Sequence, residues 1–224
     1  MLAELGIHFT TYTKAIGDIS IPDGAYDFSQ ITENPLYMPS RSHAELAAAF
    51  LEECIQKQDS AGGVIECRID GLPAGIGEPV FGKLDASLAG AVMSIGAVKG
   101  VEIGDGFGAA RSFGSLNNDP FYADGPAVRK KTNHAGGTLG GISDGSTVIL
   151  RAAVKPTPSI SREQETVDRN GNNVRIFIHG RHDPVIVPRA VVVVEAMAAL
   201  TVADLLMVNM SSRLSGIKKF YRDL

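Results

Sequence analysis

The stretch from about Arg189 to Val208 most narrows what this chain can fold into. Its apolar residues run almost without a break, and only Glu195 interrupts the span from Ala190 to Ala203. Spacing predicts a helix here, yet the run Val191 to Val194 is β-branched and lowers intrinsic helix propensity. Burial must therefore supply the stability, which requires other elements layered over the helix. The apolar span itself is too short and too interrupted to be read as crossing a bilayer.

The remaining elements alternate in type without a regular βαβ rhythm. A strand is expected from Ile7 to Ile16, rich in β-forming Thr10, Thr11, Tyr12 and Thr13. A helix follows Ser42-His43-Ala44-Glu45, which has the spacing of a capping box, and Leu46, Phe50, Leu51, Cys54 and Ile55 form its expected buried face. Asp59 to Gly63 ends it, and a strand runs from Val64 to Asp70. Further elements are a helix over Leu84 to Met93 and strands over Val98 to Ile103, Thr147 to Val154 and Val174 to Ile178. Gly104 to Gly145 is rich in glycine and asparagine and is expected to be irregular, which in a compact domain marks function or mobility. Together these predict an α+β fold, organised as a single domain. Residues Leu2 to Gly6 read as the last turn of a helix whose earlier part would precede this chain.

Composition excludes some classes of function. The formal net charge of −4 over 224 residues is wrong for a general nucleic-acid binder, whose affinity rests on a basic surface. Cys54 and Cys67 are too few for a disulfide framework and read as free thiols of a reducing compartment. No Cys/His ligand spacing suggests a metal. The first residues lack a basic stretch followed by an apolar core, so no signal peptide is expected, and the location is taken as cytoplasmic.

Several motifs suggest ligand chemistry. Gly104-Asp-Gly106-Phe-Gly108-Ala109 fits a dinucleotide fingerprint in form only, because no amphipathic helix follows. A sharp glycine turn near a ligand or another chain is the better reading. Thr132-Asn133-His134-Ala135-Gly136-Gly137 and Gly140-Gly141 form loops that let backbone approach a planar ligand closely. Asn133 and His134 either orient that ligand or bond backbone in a tight loop. Lys155-Pro156-Thr157-Pro158-Ser159 brings an ammonium and two hydroxyls onto a proline-stiffened turn, a set suited to a phosphate. A lysine at a strand end is also commonly just solvated. Gly180-Arg181-His182-Asp183-Pro184 offers a guanidinium fork and a carboxylate, either a base near a ligand or an Arg–Asp pair bracing a turn. Arg129-Lys130-Lys131 reads as a solvated loop rather than a site.

Taken together these blocks resemble chorismate synthases. The resemblance rests on Gly71-Leu-Pro-Ala-Gly-Ile-Gly-Glu-Pro-Val-Phe81, Lys83-Leu-Asp-Ala86, Met93 through Phe107, Thr132 to Gly137, Gly140 to Ser143, Lys155 to Ile160, Gly180 to Pro184, Pro188-Arg-Ala190 and Glu195-Ala-Met197. It covers nearly the whole chain in order. It implies a layered β-α-β sandwich with long helices packed between sheets, and assembly as a homotetramer. It also implies conversion of 5-enolpyruvylshikimate 3-phosphate to chorismate with reduced FMN, NADPH entering only as a reductant of the flavin. Carried over by motif, the FMN-binding positions are Gly96, Ala97, Gly140, Lys155, Pro156, Thr157, Pro158, Ser159 and Arg181. Arg181 would also face substrate, and Asp183 would handle a proton near the flavin.

The family's opening Gly-x-Ser-His-Gly stretch, its second functional histidine and its Arg-Ser-Ser-Ala-Arg-Glu-Thr-like block do not occur in these residues. Neither His134 nor His182 matches those histidines. The expectation is a C-terminal portion that has little activity alone. The alternatives are a non-catalytic FMN- or phosphate-binding or oligomerisation module, or one half of a split enzyme.

Overall fold

A computed structural model describes residues 1–180 and 182–222. A short 3₁₀ turn, Ala3–Leu5, opens the chain and closes on Gly6 in the left-handed region at φ 74°. Then come β1 (His8–Ile16), β2 (Ile19–Ser20), a 3₁₀ turn, α1 (Arg41–Gln56) and β3 (Gly63–Asp70). Next are α2 (Leu84–Met93), β4 (Val98–Ile103), a third 3₁₀ turn at Gly106–Arg111, α3 (Gly114–Asn117), β5 (Phe121–Asp124), β6 (Ala127–Lys130), β7 (Thr138–Leu139) and β8 (Ile142–Ser143). The chain continues through β9 (Val148–Val154), β10 (Gln164–Val167), β11 (Asn173–Ile176), α4 (Val187–Met210) and α5 (Leu214–Arg222). Five strands form a sheet in the order β2-β1-β3-β9-β4, and three two-stranded hairpins stand beside it in the topology. This is the α+β class that the sequence predicts.

The chain divides into two compact units. The first holds Met1–Thr11, Glu66–Ala152 and Val192–Leu224. Strand β9 shows why it forms as it does: Val148, Leu150 and Ala152 alternate into the core at period two. Leu84, Leu88 and Val92 bury one face of α2, and Val194, Ala198, Val202 and Leu205 bury one face of α4. Within this core Glu66 is charged and almost wholly buried, so it needs a partner. Arg151 supplies one at 2.7 Å and also donates to the Gly104 carbonyl. Cys67 is a free thiol, and burial pushes its pKa up to about 12.

The second unit holds Tyr12–Ile65 and Ala153–Val191. Its core gathers Ile16, Ile21, Met38, Ala44, Ala47, Leu51 and Cys54. Lys14 is largely buried, so its ammonium is paired with Asp23 at 2.6 Å and lies over the Tyr26 ring.

Several expectations are corrected. Helix α1 begins at Arg41 rather than behind a Ser42 cap, and the capping box does not form. The hydroxyl of Ser40, the residue at the cap position, is taken by the His43 ring at 2.7 Å, while Glu45 pairs with Arg41. The buried face of α1 is Ala44, Ala47, Leu51 and Cys54, and Leu46 and Ile55 point outward. The segment from Gly104 to Gly145 is not irregular throughout, since it holds two hairpins and two short helical turns. Each hairpin closes locally on a glycine turn, which needs no apolar periodicity. Strand β10 and helix α5 were not foreseen. Helix α4 is longer than predicted, and by length and composition alone it is apolar enough to cross a membrane, with a mean hydropathy of 2.2. Its regularly spaced buried face is equally that of a core helix.

Candidate functional site

Two of the predicted ligand turns lie in the second unit. Strand β9 ends at Val154 because Pro156 has no N–H to continue a ladder. The turn from Lys155 to Ser159 follows. Lys155 is exposed, with no hydrogen bond or ion pair among the described residues. Among the described residues the Thr157 hydroxyl is buried without a partner, although buried polar groups are nearly always satisfied. An unspent ammonium and an orphaned hydroxyl on one stiff turn fit an anionic ligand group.

The second turn runs up to α4. Arg181 lies outside the described residues. Asp183 accepts a hydrogen bond from the Arg189 guanidinium at 2.6 Å, so the bracing Arg–Asp pair forms with Arg189, in the first turn of α4. The His182 ring donates to the Ile178 carbonyl at 3.0 Å.

These two turns are brought together by Asp59 to Gly63. The Ser60 hydroxyl donates to the Thr157 carbonyl at 2.7 Å. The neighbouring Ala61 amide donates to the Pro184 carbonyl at 2.8 Å, and Ala61 forms a parallel bridge with Val185. Spacing alone assigns residues 59 to 63 only the role of ending a helix.

The other predicted positions lie in the first unit. Gly96 and Ala97 form the turn between α2 and β4, with Ala97 held in the left-handed region at φ 72°. That conformation is strained for a residue with a Cβ. Gly140 and Gly141 form the two-residue turn between β7 and β8, both at positive φ, as such a hairpin requires. Nothing stands within 4 Å of where a Cβ on Gly96 or Gly140 would lie, so both present open backbone.

The glycines beside them serve packing. A Cβ on Gly104 would sit 2.1 Å from the His134 carbonyl oxygen and 2.6 Å from the Gly136 nitrogen. The sharp turn at Gly104 thus meets this chain's own loop. Asn133 spends its side chain on Lys130, on the Gly137 amide and on the Thr147 carbonyl. His134 pairs through Nδ1 with Asp105 at 2.7 Å.

A charged cluster that the sequence did not reveal organises these loops. Lys130 is only 3% exposed and donates to Asp119, Asn133 and Asp144, which corrects the reading of Arg129-Lys130-Lys131 as a solvated run. Asp119 also accepts from the Thr132 hydroxyl and from the His134 and Ala135 amides. Burial by itself would push the Asp119 carboxyl up, but these donors and Lys130 together hold it well below the ordinary carboxylate range. Nothing in the spacing of Asp119, Lys130 and Asp144 announces the cluster.

A cavity of about 530 Å³ also occurs in the second unit, lined by residues such as Gln30, Leu36, Arg41 and Ala44, and among the described residues none of the predicted ligand positions lines it. Among the described residues no group of three His, Cys, Asp or Glu side chains is placed to hold a metal ion.

Fold and site define an α+β protein whose Lys155 turn presents an exposed ammonium. Comparison with known proteins gives the family. A sequence-family model described as chorismate synthase matches residues 1–207. A chorismate synthase of Agathobacter rectalis is 57% identical over 224 residues, covering 100% of this chain and 61% of that protein. One from Archaeoglobus fulgidus is 50% identical over 212 residues, covering 93% of this chain and 59% of that protein. A solved structure titled "Crystal Structure of Chorismate Synthase" aligns with a TM-score of 0.78 and 30% identity, covering 99% of this chain and 63% of that one. The chain belongs to the chorismate synthase family. It spans about 61% of the length of curated relatives such as the Agathobacter rectalis protein.

Proposed function

We propose that this chain is the C-terminal, cofactor-holding portion of a chorismate synthase. The reaction is the anti-1,4-elimination of phosphate from 5-enolpyruvylshikimate 3-phosphate, in which a ring hydrogen and the phosphate are lost and chorismate remains. The observation that carries this reading is the open Lys155 turn, with its unpaired ammonium and the orphaned Thr157 hydroxyl, in a chain of this family.

Reduced FMN, when bound, supplies an electron-rich ring that assists departure of the phosphate without net redox change. This chain's residues bind and orient. Lys155, Thr157 and Ser159 hold the phosphate-bearing end of the flavin, and Pro156 and Pro158 limit the entropy lost when it docks. Gly96, Ala97 and Gly140 offer backbone to the ring. Arg181 supplies a fork for the anionic groups of flavin and substrate. Asp183, fixed in orientation by Arg189, accepts or returns a proton near the flavin. The remaining family motifs, with both functional histidines and several arginines, belong to length that these residues do not span. The working enzyme on this proposal is a cytoplasmic homotetramer, with NADPH serving only to reduce the flavin.

The test pairs an FMN titration with steady-state turnover of 5-enolpyruvylshikimate 3-phosphate under reducing conditions. The expected result is saturable FMN binding with negligible turnover by the 224-residue chain. Turnover at the rate of a full-length relative would refute the assignment of a partial site. Absence of flavin binding would refute the cofactor-holding role.

A further inference from the structure

The turn that carries Lys155 is poorly equipped to hold its own shape. Pro156 and Pro158 remove two backbone donors from it, so few internal hydrogen bonds can tie it. It is held from outside instead. Ser60, 97 residues away in sequence, donates its hydroxyl to the Thr157 carbonyl at 2.7 Å. Two residues on, the chain lies so close to the end of β9 that a Cβ on Gly62 would stand 2.5 Å from the Val154 carbonyl oxygen and 3.0 Å from Pro156 Cδ.

The same segment is fixed on its other sides. The Asp59 carboxylate accepts from its neighbour's amide, that of Ser60, at 2.9 Å and pairs with Arg162 at 2.7 Å. Gly62 accepts from the Gly17 amide at 2.9 Å, and a Cβ on Gly63 would stand 2.1 Å from the Ala15 carbonyl oxygen. Ala61, just before Gly62, donates its amide to the Pro184 carbonyl and bridges Val185. Residues 59 to 63 are thus a rigid clamp gripping both the Lys155 turn and the chain just after Asp183.

We infer that Ser60 is a positioning residue for the phosphate-holding turn, and that the clamp couples this turn to the one bearing Asp183. The inference rests on the cofactor-holding role proposed above. The Ser60 hydroxyl sets the Thr157 carbonyl, and through it the direction in which Lys155 and the Thr157 hydroxyl present themselves. Ser60 touches no ligand itself.

The experiment uses the 224-residue chain as wild type, Ser60→Ala, Ser60→Thr, Lys155→Ala and the Ser60→Ala/Lys155→Ala double variant. Amide hydrogen exchange is followed without ligand, FMN affinity by quenching of flavin fluorescence, and folding by thermal midpoint. Ser60→Ala is expected to raise exchange at 157–160 and 183–186 selectively and to weaken FMN binding about fivefold, the worth of one ordinary hydrogen bond. Ser60→Thr, which keeps the hydroxyl, should restore both. In the Lys155→Ala background Ser60→Ala should change affinity less than twofold, a coupling that a merely structural serine would not show.

Unchanged exchange in Ser60→Ala, or loosening spread evenly over the whole chain, would overturn the inference. So would full additivity with Lys155→Ala. If the wild-type chain binds no FMN, the cofactor-holding role fails, and the exchange pattern still decides whether the clamp exists.

Discussion

Around Asp119 the loops of the first unit spend their polar groups on one another, whereas the Lys155 turn of the second unit leaves an ammonium and a hydroxyl unspent among the described residues. Asp119 collects a lysine, a hydroxyl and two amides. Gly104 and Gly136 approach until no side chain fits between them. At Lys155, among the described residues, an ammonium is free and a buried hydroxyl has no partner. The first arrangement gives rigidity and exposes backbone only at turns such as Gly140. The second leaves hydrogen-bonding capacity unused among the described residues. Stability and binding should therefore respond to mutation in different places.

The largest effect is expected at Gly104→Ala. The added Cβ meets backbone and the residue must hold φ +57°, so destabilisation of about 4 kcal/mol or more is expected, read by urea unfolding. A soluble variant of unchanged midpoint would break the comparison. Asp119→Ala comes next, at about 3 kcal/mol, because it leaves buried Lys130 underpaired and two amides without their acceptor.

Asp119 also predicts an acid dependence. Its folded carboxyl lies below the unfolded value of about 3.9, so its contribution to stability is complete above roughly pH 5. That contribution is lost as pH falls through 4 and on toward the lower folded value. A pH series of thermal midpoints on wild type and Asp119→Asn checks this: the wild type should fall more steeply below pH 4 than the variant. The smallest effect on stability belongs to Lys155→Ala, within about 0.5 kcal/mol, since an exposed unpaired lysine contributes little to the fold. A larger loss would mean that Lys155 is a packing residue.

Much of the framework was legible in the sequence, and the bounds of α2 and β4 fall where apolar spacing put them. Local periodicity carries that information. It fails where side chains face solvent, as in β10, whose Gln164–Val167 sequence has little apolar alternation. It also fails for α1, where an extra apolar residue on either side of the true face rotated the predicted one. The proposed ligand turns were chosen on the chemistry of their residues, because lysine, hydroxyls and prolines together suit an anion. What holds them could not. The Ser60–Thr157 bond spans 97 residues, and the burial of Lys130 depends on carboxylates 11 and 14 positions away.

Whether the Lys155 turn keeps its open valences for a flavin phosphate is tested most directly by calorimetric titration of FMN into wild type and Lys155→Ala, with inorganic phosphate as competitor. One saturable site should appear, weakened at least tenfold in the variant and displaced by phosphate. Equal affinity in both proteins, or affinity indifferent to phosphate, would contradict it.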